Sequence, residues 1–162
     1  SATPAGEDPT KKTVLIGKAE GKDMSVMLEL EPAKPMWMMM GGSWMEHKPG
    51  AGEVYHVEVK PVDPGSGTRI SYAVVKFKGV NRDNGKSVEG ELHAMWGGSG
   101  LHYALNSALA GDGAYLATVT VEAPTFTRSP SDKDKWMKPV VAQFSFTLKS
   151  GLVTDRAVLS IS

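Results

Sequence analysis

Ile70-Ser71-Tyr72-Ala73-Val74-Val75-Lys76-Phe77-Lys78, then Asn81-Arg82-Asp83-Asn84-Gly85-Lys86, then Val88-Glu89-Gly90-Glu91-Leu92-His93-Ala94-Met95 read as strand, turn and strand. Successive side chains of a strand point to opposite faces, and Val75 and Phe77 alternate here with Lys76 and Lys78. Asn-Gly tolerates the positive φ of a tight hairpin, so the two segments are expected to be antiparallel neighbours. The same period of two, broken by glycine, proline and Asp/Asn clusters, recurs at 13–16, 24–30, 54–60, 115–122, 140–148 and 153–161. Eight short strands of this kind predict an all-β fold, an immunoglobulin-like β-sandwich. Leu101, Leu105 and Leu109 recur at helical spacing with Gly111 behind them as a C-cap, which predicts one short helix between the strands.

Composition narrows the function classes. The chain has 162 residues, with 18 Lys and Arg against 18 Asp and Glu. This length makes one domain, 1–162, with 1–12 expected as a disordered amino-terminal tail. The balanced, scattered charge carries no footprint for nucleic acid. No apolar run approaches the roughly 20 residues that span a bilayer, so direct membrane insertion is not expected. Ser1-Ala2-Thr3-Pro4-Ala5-Gly6 is small and polar and reads as the start of a mature chain whose signal peptide is already gone. The absence of cysteine excludes disulfides and thiolate metal sites. Catalytic signatures are also missing: there is no Gly-x-Ser-x-Gly elbow and no His-Glu-x-x-His, so the chain reads as a binding protein and not an enzyme.

Chemistry concentrates in two strands. In Val54-Tyr55-His56-Val57-Glu58-Val59-Lys60 the pleat puts His56, Glu58 and Lys60 on one face, with Tyr55, Val57 and Val59 on the other. Met95-Trp96-Gly97-Gly98-Ser99-Gly100-Leu101-His102-Tyr103 adds a thioether and a second imidazole. Imidazole suits copper in either oxidation state and thioether favours the cuprous ion, so a His/Met set points to copper before zinc or magnesium. The plain alternative is that Met95 packs a core, His102 caps a helix, and the His56 face is solvated. His93, two residues before Met95, shares its face and is a further candidate ligand.

The order His56-x-Glu58, Met95, His102-Tyr103, Val121-Glu122-Ala123-Pro124 and Lys135-Trp136-x-Lys138-Pro139 resembles the bacterial periplasmic Fe2+ transport proteins, the copper-binding family that accompanies high-affinity iron permeases. The likeness runs from about residue 26 to 146. It implies an immunoglobulin-like domain in the periplasm, a homodimer, and a role in iron uptake with an inner-membrane iron permease. It further implies that His56, Met95 and His102 ligate copper, that Glu58 is a nearby carboxylate for copper or for iron as a second ion, and that copper could act in a redox step toward iron. One departure stands out: Phe126-Thr127-Arg128-Ser129-Pro130-Ser131-Asp132 lacks the further histidine that the family offers before its Lys/Arg-Trp motif.

Pro35-Met36-Trp37-Met38-Met39-Met40-Gly41-Gly42-Ser43-Trp44-Met45-Glu46-His47 is the second unusual segment. It holds Met36, Met38, Met39, Met40 and Met45, five of the nine methionines, together with His47. Clustered thioethers make a soft Cu(I) donor set, and one of them could complete the copper site where the family histidine is absent. The alternatives are a loop covering the sandwich or a dimer interface. A copper chaperone or resistance protein using this Met-rich loop, and a metal-free immunoglobulin-like interaction module, are the competing functional readings.

Overall fold

The structure is a computed structural model that describes residues 6–162. Its strands are β1 (Val14–Glu20), β2 (Ser25–Pro32), β3 (Met36–Met40), β4 (Ser43–His47), β5 (Tyr55–Val62), β6 (Val75–Asn81), β7 (Ser87–Gly97), β8 (Gly100–Ser107), β9 (Gly113–Val121), β10 (Val140–Lys149) and β11 (Leu152–Ile161). Nine of them form one sheet in the order β1-β2-β5-β8-β7-β6-β9-β10-β11, while β3 and β4 pair only with each other. The long strand β7 joins two layers, because residues 87–92 pair with β6 and residues 93–97 pair with β8. The first strand closes back on the last two: a Cβ at Gly17 would meet Val158 and Phe144, and the Arg156 guanidinium donates to the Leu15 carbonyl. The expected all-β sandwich is what forms.

Alternation drives the packing. In β9 every second residue from Gly113 to Val121 is buried, and β10 buries Ala142, Phe144, Phe146 and Leu148. These side chains meet Leu28, Leu30, Val57, Val59 and Tyr103 of the facing layer. Tyr115 and Phe146 stack with ring centroids 4.8 Å apart. Among the described residues no helix is long and apolar enough to cross a membrane.

Three local expectations are corrected. The short helix expected over Leu101, Leu105 and Leu109 does not form: Leu101 and Leu105 lie in β8, and Leu109 turns the chain at φ 54°. Spacing of four is also a multiple of two, so the leucines fit a strand whose Tyr103 faces the core. The only helical element among the described residues is a 3-10 turn at Pro130–Asp132. The Met-rich segment is a hairpin, β3–β4, and not an irregular loop. Of the tail 1–12, residues 1–5 lie outside the described residues, and the rest is not disordered: Glu7 exchanges backbone hydrogen bonds with Val153.

The Asn81 turn does more than reverse the chain. The fully buried Asn81 amide donates to the carbonyls of Ala110 (3.0 Å) and Asp112 (2.9 Å), while its oxygen accepts from the Asp83 amide at 3.0 Å. A Cβ at Gly113 would overlap this amide, so the β6–β7 turn and the β8–β9 connection are locked together. Asn81→Ala removes the donor to the Asp112 carbonyl and the acceptor of the Asp83 amide, while Asn84 still donates to the Ala110 carbonyl, and should lower stability by about 2–4 kcal/mol. Thermal unfolding should show Tm falling by about 5–15 °C. A change under about 1 °C would mean that the two turns are held by other contacts.

Candidate metal centre

Burial on both faces is the unusual property of β5, where Tyr55 to Pro61 are all buried. Tyr55, Val57 and Val59 enter the apolar core. His56, Glu58 and Lys60 share the opposite face as the pleat requires, yet they are 0, 2 and 8% exposed. The neighbouring strands explain this. Register sets Glu31 of β2 opposite His56, Glu29 opposite Glu58, and Ala104 and Asn106 of β8 on the other side. His102 and Met95 are directly opposed on β8 and β7, which puts both on this face, with Met95 half-buried. Thr13, Lys34 and the Gly98-Ser99 turn rim a cavity of about 350 Å3 over the group.

Each imidazole is held by one nitrogen. Asn106 donates through Nδ2 to the Lys34 carbonyl at 2.8 Å, so its Oδ1 is the acceptor for Nδ1–H of His56 at 2.9 Å. His102 donates Nδ1–H to the Gly100 carbonyl at 2.9 Å. Gly97 makes room for that ring, since a Cβ there would lie 3.1 Å from His102 Cε1. In neutral form both rings therefore carry their lone pair on Nε2. Both Nε2 atoms are buried, make no well-aligned hydrogen bond and face only carboxylates, His56 toward Glu31 at 3.7 Å and His102 toward Glu58. His102 Nε2 lies 3.0 Å from Glu58 Oε1, and ligand atoms of His56, Glu58 and His102 all fall within 4.8 Å of one another. Such a set fits a metal ion: buried imidazole nitrogens converge on a carboxylate, and their other nitrogens are fixed by carbonyl oxygens as in metal sites generally.

Electrostatics follow from the same contacts. Burial pushes the His56 imidazole below its ordinary pKa, outweighing the Asn106 hydrogen bond, and leaves it neutral near pH 7. At His102 burial also opposes the charged form, but Glu58 and the Gly100 carbonyl prevail and raise the pKa. At Glu58 burial works against the carboxylate, while His102 and Lys60 overcome it and hold the group down to about 2. Lys60 Nζ bridges Glu29 (2.6 Å) and Glu58 (3.2 Å), and Lys34 pairs with Glu31. Three carboxylates face two ammonium groups, so with neutral imidazoles the centre is net negative and attracts cations.

The fold thus gathers His56, Glu58 and His102, with Met95 on the same face. It does not add His93, which is exposed opposite Ala104 and borders a separate cavity with Trp37, Met38 and Met39. His47 is exposed at the base of the β3–β4 hairpin opposite Met36. The histidine-free segment is pinned elsewhere: Arg128 donates to the Pro124 carbonyl at 2.7 Å and lies over the Phe126 and Trp136 rings, and Trp136 donates to the Asp23 carbonyl. Glu29, Glu31, Lys34 and Asn106 were not singled out from the sequence. Glu29 and Glu31 alternate with Leu28 and Leu30 like any solvated strand face, and nothing local says that β2 lies beside β5.

Known proteins share this arrangement of strands. The family described as Fe2+ transport protein matches residues 52–150. UPF0423 proteins of Brucella abortus and Brucella suis are 32% identical over 89 residues, covering 49% of this chain and 49% of theirs. The chain therefore spans about half the length of the curated relatives it matches. Among solved structures, FetP of uropathogenic Escherichia coli strain F11 superposes with TM-score 0.68 at 24% identity, over 84% of this chain and 95% of FetP. Copper-reconstituted P19 of Campylobacter jejuni gives TM-score 0.67 at 22% identity, over 85% of this chain and 96% of P19. These likenesses establish a shared fold. Because the family match covers more than half of the chain, the protein belongs to the Fe2+ transport protein family.

Proposed function

We propose that this protein binds copper at His56, Glu58, Met95 and His102 and serves iron uptake in the periplasm alongside an inner-membrane iron permease. The observation that carries the reading is the convergence of two buried Nε2 atoms on the Glu58 carboxylate, with the ligand atoms of all three residues within 4.8 Å of one another. Buried imidazole nitrogens without well-aligned hydrogen bonds are costly, and a metal ion would satisfy both at once. Met95, opposite His102, adds a soft donor that copper accepts and magnesium or calcium would not. FetP and P19, the solved neighbours, include copper-bound forms, which agrees with this choice of metal.

The residues present divide the work. His56 and His102 would supply neutral nitrogen, Glu58 anionic oxygen and Met95 sulfur. Copper held there would contribute a one-electron couple able to adjust the oxidation state of iron. Glu29 and Glu31 offer hard oxygens suited to iron as a second ion. The chain acts as a carrier or redox partner and not as an enzyme. A homodimer belongs to the same reading, since Trp37, Trp44 and Trp96 stand 64, 65 and 79% exposed and a second copy could cover them. Light scattering at micromolar concentration reads the mass directly, and a strict monomer removes the dimer.

Calorimetric titration tests the ligands. His102→Ala should weaken Cu(II) binding at least about tenfold, equivalent to about 1.4 kcal/mol, with the fold retained. Met95→Leu conserves volume and should lower Cu(I) affinity more than Cu(II) affinity. Unchanged affinity in His102→Ala would remove this centre as the copper site.

Acid should release the metal. Copper and a proton compete for His102 Nε2, and the raised pKa of His102 means that competition begins at higher pH than for an ordinary histidine. Below that pKa the Cu(II) affinity should fall about tenfold per pH unit. A flat affinity between about pH 5.5 and 8 would show that copper does not displace a proton from His102.

A further inference from the structure

The β3–β4 hairpin sorts its side chains in a way the sequence alone does not display. Register pairs Met36 with His47, Trp37 with Glu46, Met38 with Met45, Met39 with Trp44, and Met40 with Ser43. Directly opposed residues share a face and successive residues alternate. One face therefore carries Met36, Met38, Met40, Met45 and His47, while Trp37, Met39, Trp44 and Glu46 take the other. Four thioethers and an imidazole on one two-stranded ribbon are too many for packing, because Met40 and Met45 are 51 and 52% exposed and Met38 is only half-buried. Opposed Cβ atoms in such a ribbon lie roughly 4.5–5.5 Å apart, so Met38 and Met45 can place both sulfurs on one ion.

Exposure is graded along the stripe. Met40, at the Gly41-Gly42 tip, is open to solvent; Met36, at the base, is 5% exposed. Just before Met36, the Lys34 carbonyl accepts from Asn106, whose Oδ1 holds the His56 ring. The stripe thus begins in solvent and ends next to the scaffold of the buried centre.

We propose that this face is a second, soft-metal site, which takes Cu(I) from solvent through Met38, Met40, Met45 and His47. Thioether is a soft neutral donor that matches a cuprous ion and has no proton to lose, so binding through sulfur persists in acid where the imidazoles fail. No electron moves in this step; Cu(I) exchanges water or a carrier's ligands for sulfur. The site stands whether or not the chain serves iron uptake.

The test uses the full chain with 13C-labelled methionine methyl groups and Ag(I), a redox-inert monovalent soft cation. One equivalent should shift the methyl resonances of Met38, Met40 and Met45 and leave those of Met24 and Met137 in place. In the His56→Ala/His102→Ala variant the shifts should persist, which separates this site from the buried centre. Met38→Leu/Met40→Leu/Met45→Leu should lower Ag(I) and Cu(I) affinity at least about tenfold at pH about 5, with Cu(II) affinity at neutral pH changed less than about twofold. Still hairpin methyls in the wild type, or shifts that vanish with the two histidines, would overturn the proposal; the wild-type spectrum decides even if the triple variant fails to fold.

Discussion

Because β5 is buried on both faces, the fold must solve two different problems with one strand. Its apolar face does what any sandwich strand does. Its other face takes two imidazoles, three carboxylates and an ammonium group out of water, and each isolated charge moved that way costs several kcal/mol. Pairing offsets most of this: Lys60 sits between Glu29 and Glu58, Lys34 on Glu31, and Nδ1 of each histidine on an oxygen. What remains are two Nε2 atoms that face only carboxylates, His56 toward Glu31 and His102 toward Glu58. The rest of the centre is arranged around that remainder.

Their surroundings move the pKa values of the two histidines in opposite directions. His56 is surrounded by neutral groups on its donor side and burial dominates, so its lone pair is available near pH 7. His102 faces Glu58 directly and retains its proton more strongly. His56 and His102 through Nε2, with Glu58 beside them, would hold a dication once His102 has given up that proton, with Lys60 on Glu29. The centre is thus preorganised in its ligands and its hydrogen bonds while one site of proton exchange stays open. Local constraints serve the same end, with Gly97 yielding space to the His102 ring and the Gly100 carbonyl orienting it.

Much of this could be read from residue order. Period-two alternation located the eight strands other than β3, β4 and β8, and parity alone put His56 and Glu58 on one face. The three missed strands have physical reasons. Leu101 and Leu105, four apart, satisfy a strand and a helix equally, and Tyr103 between them was the discriminating residue. Met36-Trp37-Met38-Met39-Met40 offers no polar alternation, since methionine and tryptophan occupy both faces of a ribbon that projects from the sheet. Glu29, Glu31 and Asn106 reach the centre through pairing between strands far apart in the chain, and non-local register leaves no mark in a single sequence. Burial of the His56 face followed from those neighbours and could not be anticipated either.

The proposed metal centre rests on two imidazoles meeting at one ion through Nε2. Pulsed electron paramagnetic resonance on the Cu(II)-loaded chain, with 15N placed only in histidine, counts them directly. Modulation from the remote nitrogens of two bound imidazoles, with Nδ1 protonated in each, is the result predicted. Coupling to one imidazole, or to backbone nitrogen without histidine, would contradict the assignment of His56 and His102 as a joint metal centre.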